Sequence, residues 1–395
     1  MPYVHISAKD LRPGMFIVDT EISWQNRPYL YSKTGLIKTK EEIEEILAEG
    51  YDEAYYDPDK SHLDPAQKDS RNNDLLADNA LNTPLEPKVP FASELKNAQG
   101  IYTDCLNQVE HMLGEARRGK IDHSTSKNLV TNLVGSINRH PDALSSLSKI
   151  KGFDEYTFAH SINVAIFSIA FGLALGLSGD AVNRLGEAAL LHDFGKMRVP
   201  KEILNAVRAL KPEELVIMQT HPQLGAEMLA KVPGMTEDVI NGVLDHHEKY
   251  NGSGYPNKKK GAEISPFARI ISVADVYDAL SSKRVYRDAV PPNKALATMY
   301  SVRDQSWEPG LCECFIKLLG IYPVGSCVSL TMGYKGIVSK SNFNAPLYPT
   351  VLLCKAPNGN AINPPQVLDL STQHDLQIVK ALPPDALKVT LTDIV

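Results

Sequence analysis

The sequence predicts a mainly α protein: a helical bundle, residues 141–305, set between a small N-terminal α+β module and a small β-rich C-terminal module. Three observations predict it. Apolar residues recur at helical spacing from about Ala92 to about Val302, as in amphipathic and buried helices. After about Gly310, short β-branched runs alternate with Gly, Pro and Asn turns, the pattern of strands. Before about Tyr56, two strand-like stretches precede one charged helical stretch.

Taken in order, "MFIVDTEI" and "RPYLYSKTG" read as strands, and "KTKEEIEEILAEG" reads as a helix burying Ile43, Ile46 and Leu47. Residues 57–90, rich in Pro, Asp, Asn and Lys, read as an exposed linker. Leu106, Val109, Met112 and Leu113, then Leu129, Leu133 and Ile137, mark connecting helices, so residues 1–140 form a regulatory segment. The apolar run "INVAIFSIAFGLALGL", residues 162–177, contains Asn163, Ser168 and two glycines. It is shorter than the roughly 20 residues of a membrane span, so it reads as a core helix. In the C-terminal extension, residues 306–395, "SCVSLTM", "GIVSK", "TVLLC", "QVLDL" and "LQIVKAL" read as strands.

Composition narrows the function. Hydrophobic residues at 43% and charged residues at 22% match a soluble globular chain. A net charge of -6 produces no field that attracts a polyanion, which argues against polymeric nucleic acid. The five cysteines lack paired zinc-type spacing, so reduced thiols in a cytoplasmic chain are expected. The opening "MPYVHISAKDLRPGMF" lacks the regions of a secretion signal.

The chemistry lies in the helical segment. His160 shares a helix face with Val164 and Phe167, as a core histidine bonded to a neighbour also would. His192 and Asp193 end a helix whose Leu185, Ala188 and Ala189 line the buried face. A buried carboxylate beside a buried imidazole is costly unless each is paired or bound to a cation. His221 precedes Pro222, which disfavours helical geometry at His221 and predicts a kink aiming the ring off its helix. His246 and His247 follow Val239, Ile240, Val243 and Leu244, with Asn251 and Gly252 expected to end the helix. Asp275 sits among Ile270, Ile271, Val273 and Val276, in a helix expected to be capped by Ser265 with Pro266 in the first turn. Each has a bland explanation alone. Together they are five imidazoles and two carboxylates with no thiolate, a set suited to Fe, Mn, Ni or Zn in an open catalytic site. Seven donors exceed one tetrahedral ion and suit two, an arrangement used for in-line displacement at phosphorus.

The segments "DEYTFAHSINVA", "ALLHDFGKMRVPKEIL", "HHEKYNGSGYP" and "RIISVADVYDALSSKRVYR" resemble, in order, the HD-GYP family of metal-dependent phosphohydrolases. The opening "ISAKDLRPGMFI" resembles a module often found before that domain. The resemblance implies an HD-domain bundle holding a multinuclear metal site in residues 141–305, ligated by His160, His192, Asp193, His221, His246, His247 and Asp275. It implies that Asp193 bridges two ions, iron first among the candidates, and that Lys196 stabilises charge on the scissile phosphate. It places Tyr255, Arg284, Arg287 and Asp154 against substrate, while the lysine run Lys258, Lys259 and Lys260 reads as a solvated loop. Members with three ions carry an acidic residue where this chain has Tyr156, with Glu155 one position off, so two ions are expected. The implied reaction is hydrolysis of cyclic di-GMP to linear pGpG and onward to GMP, which lowers this second messenger in bacterial motility and biofilm signalling. The alternatives are a mixed cyclic GMP-AMP substrate or a silent cyclic-dinucleotide-binding scaffold. A diguanylate cyclase carrying a GGDEF domain and a second copy of the chain are the implied partners.

Overall fold

The structure is a computed structural model that describes residues 3–18, 30–31, 33–48, 51, 53–57, 60–61, 85–148, 156–282, 290–373, 375–383, 386–387, 389 and 391. The chain divides into two compact units, Met1–Asn73 and Asp74–Val395.

In the first unit β1 (Val4–Ser7), β2 (Phe16–Ile17), β3 (Leu30–Tyr31), β4 (Gly35–Leu36) and β5 (Glu53–Asp57) form one sheet. Its order is β1-β5-β2-β4, antiparallel, with β3 joining β5 in parallel. Helix α1 (Lys40–Ala48) buries Ile43 and Ile46, while Leu47 is 36% exposed. Ala8, Leu11, Ile17, Ile37 and Ala54 complete this core.

The second unit begins with α2 (Phe91–Arg117), α3 (His123–Arg139) and α4 (Pro141–Leu147). Asp122 caps α3 by accepting from Ser124 N, satisfying a donor that the first turn leaves unpaired. There follow α5 (Tyr156–Ala174), α6 (Gly179–Leu191), a 3-10 turn (Phe194–Arg198), α7 (Lys201–Leu204), α8 (Pro212–Met218), α9 (His221–Leu229) and α10 (Glu237–Asp245). Next come α11 (Pro266–Ser281), α12 (Pro292–Ser301), α13 (Arg303–Ser306) and α14 (Leu311–Leu319). Helix α5 is apolar on all sides because it is central: Ile162, Val164, Ala165, Ile166, Phe167, Ile169 and Phe171 are all buried. Residues of α2 to α6, α10, α11, α12 and α14 share one core with it. No helix of the described residues is long and apolar enough to cross a membrane.

All five C-terminal runs are strands: β6 (Cys327–Leu330), β7 (Lys335–Lys340), β8 (Thr350–Lys355), β9 (Ala361–Asp369) and β10 (Ile378–Ala381). They form an antiparallel sheet in the order β10-β6-β7-β8-β9 around Val328, Ile337, Val338, Val351 and Leu353. The architecture is thus mainly helical, with one small sheet in the N-terminal region and one in the C-terminal region.

Two local expectations are corrected. The helix before the paired histidines ends at Asp245, well short of Asn251. His221 is no kinked helix end; it is the first residue of α9. Proline is tolerated in a first turn, where its missing N–H has no intrahelical partner, so Pro222 fits the first turn of that helix.

Candidate metal centre

Seven side chains from five helices and their ends converge. Ligand-type atoms of Asp193, His221, His246 and His247 lie within 4.8 Å of one another, as do those of His160, His192 and Asp275. Asp193 joins the two groups. Its Oδ1 is 3.3 Å from His221 Nε2 and 4.0 Å from His246 Nε2, while its Oδ2 is 3.7 Å from His160 Nε2 and 3.4 Å from His192 Nε2. Asp275 reaches His160 Nε2 at 3.1 Å through one oxygen and His247 Nδ1 at 3.9 Å through the other.

Backbone and carboxylate acceptors orient four of the rings. His192 Nδ1 lies 2.7 Å from Ala189 O, His221 Nδ1 2.8 Å from Met218 O, and His246 Nδ1 2.7 Å from Val243 O. A carbonyl only accepts, so each Nδ1 donates, which leaves Nε2 of each ring turned inward as the ligand-type nitrogen. His160 Nδ1 meets Asp278 Oδ2 at 2.8 Å, the carboxylate support typical of a metal-binding imidazole. His221 Nε2 and His246 Nε2 then face each other at 3.3 Å. Two lone pairs so placed repel unless a cation or proton lies between them.

Charge points the same way. Burial opposes ionisation of Asp193, yet Lys196, His192 and His221 hold its carboxyl well below the usual range. Burial likewise opposes ionisation of Asp275, and His160, with smaller help from His247 and His192, pulls it down. Burial and neighbouring imidazoles push His246 down, and burial foremost pushes His247 to about 3. His160 is raised to about 9 because Asp275 and Asp278 outweigh its burial. Two ionised carboxylates thus stand among five clustered imidazoles. His192 Nε2 and Asp193 Oδ1 are buried without a hydrogen bond. A divalent cation satisfies both, so the residues present fit a metal site.

Lys196, on the 3-10 turn after the HD pair, donates from Nζ to Asp193 Oδ2 at 2.6 Å and is half-buried. The turn lies close because residue 195 is glycine: a Cβ there would sit 1.9 Å from His221 O and 2.5 Å from Gly225 N.

The loop after His247 folds back over the cluster. Tyr255 N donates to His247 O at 3.2 Å, and the two rings lie 4.8 Å apart between centroids, tilted by 32°. Burial, reinforced by Asp275 and Asp193, pushes the Tyr255 phenol up, so it remains a protonated donor. Only glycine fits at 254, where a Cβ would meet Lys249 N at 2.3 Å. Glu248 accepts from Asn257 N at 2.6 Å and Lys259 N at 3.1 Å. The lysine run is not uniformly solvated as expected. Lys259 Nζ donates to buried Asp245 at 2.7 Å, and the same Asp245 oxygen accepts from Ser265 N at 3.1 Å. Ser265 occupies the cap position of α11, but its side chain makes no cap bond.

Sequence reasoning missed Asp278 and Lys259. Asp278 had a signal, a second carboxylate three residues after Asp275 on an apolar helix; the pairing of Lys259 with Asp245 had none. Asp154, Glu155, Arg284 and Arg287 lie outside the described residues, as does the side chain of Tyr156.

Comparison with known proteins follows the same lines. Residues 132–310 match the HD domain family, and residues 3–124 match a domain of unknown function, DUF3391. Cyclic di-GMP phosphodiesterase PA4108 of Pseudomonas aeruginosa is 32% identical over 366 residues, covering 92% of this chain and 88% of that protein. The cyclic di-GMP phosphodiesterase response regulator RpfG of Xanthomonas campestris is 38% identical over 144 residues, 36% of this chain and 38% of that protein. The 3'3'-cGAMP-specific phosphodiesterase 3 of Vibrio cholerae is 40% identical over 164 residues, 41% of this chain and 35% of that protein. An HD domain binds divalent metal and hydrolyses phosphoesters, and the His and Asp clusters described above supply donors for that purpose. With its HD pair, its HHE and GYP stretch and a relative matched along nearly its whole length, the chain belongs to the HD-GYP family of metal-dependent phosphohydrolases.

Proposed function

We propose that the chain hydrolyses cyclic di-GMP to linear pGpG and onward to GMP, using two divalent ions, with iron the first candidate. The carrying observation is Asp193, whose two oxygens face separate groups of donors, His221 and His246 on one side and His160 and His192 on the other. That arrangement supports a bridging carboxylate. Divalent ions held by these residues would supply a water nucleophile at neutral pH and Lewis-acid stabilisation of phosphoryl oxygens. Lys196 brings a cation to the same edge for charge developing in the transition state. Tyr255 offers a hydroxyl donor and a ring face for the dinucleotide. Arg284, Arg287 and Asp154 complete the substrate contacts in this reading, and residues 1–140 carry the regulation.

The test is product chromatography after incubating the Mn- or Fe-loaded chain with cyclic di-GMP, and separately with 3'3'-cGAMP. Linear pGpG appearing faster than the cGAMP product supports the proposal. Faster cGAMP cleavage selects the second reading, which the similarity to the Vibrio cholerae relative favours. Intact substrates with metal bound would indicate a silent binding protein.

The Lys259–Asp245 clasp makes a further expectation. Lys259→Met frees the loop that carries Tyr255 and is expected to raise KM for cyclic di-GMP about fivefold, equivalent to ~1 kcal/mol of binding. Turnover should stay within about twofold, because no donor of the cluster moves. A steady-state analysis showing an unchanged KM would refute the clasp.

A further inference from the structure

One line of buried hydrogen bonds runs from α2 into the donor cluster. Tyr102 Oη donates to Asn163 Oδ1 at 2.9 Å. That bond sets which way the amide faces, and Asn163 Nδ2 donates to Asp278 Oδ1 at 2.7 Å. Ser282 Oγ donates to the same oxygen at 2.9 Å, and the other Asp278 oxygen receives His160 Nδ1 at 2.8 Å. All of these side chains are buried, Tyr102 at 7% exposure and Asn163 at 0%. With little competition from water, each bond polarises the next.

We infer that Tyr102 is a positioning residue for the metal centre, acting through Asn163 and Asp278 on His160. Tyr102 lies in the segment that matches DUF3391 and upstream of the segment that matches the HD domain. The inference therefore assigns part of a segment of unknown function to the active-site framework. It rests on the metal-centre reading given above. Packing alone would be served by phenylalanine at position 102, but Asn163 Oδ1, inside the most apolar helix, would then lose this donor. A buried amide oxygen without a donor is disfavoured, so the amide would turn or shift, and Asp278 would lose its alignment on His160.

The experiment compares Tyr102→Phe, Asn163→Ala and Asp278→Asn with Val109→Ala, a packing change at a fully buried position on the same helix. Metal-free full-length protein is titrated with Mn2+ against a chelating dye, and turnover of cyclic di-GMP is measured in parallel. Asp278→Asn should weaken Mn2+ binding about 10- to 100-fold, the usual effect of losing a ligand's direct support. Asn163→Ala should fall between, and Tyr102→Phe should weaken binding about three- to tenfold, one bond further out. Tyr102→Phe should also lower kcat with KM unchanged. Val109→Ala should lower Tm while keeping Mn2+ affinity within about twofold of wild type. Wild-type affinity in Tyr102→Phe, or an equal loss in Val109→Ala, overturns the inference. A wild-type chain that binds no Mn2+ overturns the metal-centre reading and this inference with it, so the wild-type titration tells the two failures apart.

Discussion

Asp193→Ala is expected to lower kcat/KM on cyclic di-GMP by about three orders of magnitude or more and to strip bound metal from the protein. The expectation follows from position. Asp193 is 5% exposed, contacts donors on both sides of the cluster and is the acceptor for Lys196. Its removal leaves four imidazoles without the anion between them and Lys196 without its partner. Asp193→Asn keeps the size and removes the charge, so it should retain some metal while losing most turnover. Metal per chain by mass spectrometry, alongside pGpG formation, checks both variants. A fully active Asp193→Ala protein would end the two-ion reading.

Gly195→Ala should be nearly as damaging, although the added methyl group is apolar and touches no ligand-type atom. The new Cβ would stand 1.9 Å from a backbone oxygen and 2.5 Å from a backbone nitrogen of α9. No rotamer relieves a clash with backbone, so the turn carrying Asp193 and Lys196 must move away from the start of α9, where His221 sits. Overpacking costs typically about 1–3 kcal/mol, and a shift near 1 Å in a catalytic group costs about 100-fold in rate. Gly100→Ala is the control, since nothing lies within 4 Å of its added Cβ in mid-α2. It should stabilise the protein by about 0.5–1 kcal/mol with unchanged turnover. Thermal denaturation and kcat together separate the cases; normal turnover in Gly195→Ala would contradict the close packing described.

How much of this was legible depends on whether a signal is local. The five C-terminal strands could be read because β-branched runs and turn residues are contiguous, and α5 because a long apolar run needs a buried place. The seven donors stood out because each charged or polar group sits on, or just past, an otherwise apolar helix face. What escaped depends on long-range pairing. Asn163 and Asp278 are 115 positions apart, and Tyr102 and Asn163 are 61 apart, so no periodicity links them. The misplaced end of α10 has another cause: Asn251 and Gly252 mark a turn, but the helix had already stopped at Asp245. Pro222 misled because its effect on the residue before it differs between a helix interior and a helix start.

The ring contacts of His192, His221 and His246 have one more consequence. Ala189, Met218 and Val243 stand in the last turns of α6, α8 and α10, where carbonyls have no partner further along the helix. The imidazoles therefore close three helix ends while presenting their other nitrogens inward. Each such bond contributes about 1 kcal/mol, and the seat of each ring is set by protein atoms alone. A scaffold that holds its donors by its own backbone admits whichever fitting cation is at hand, so exchange of one transition metal for another can proceed without unfolding, and metal availability becomes the selector.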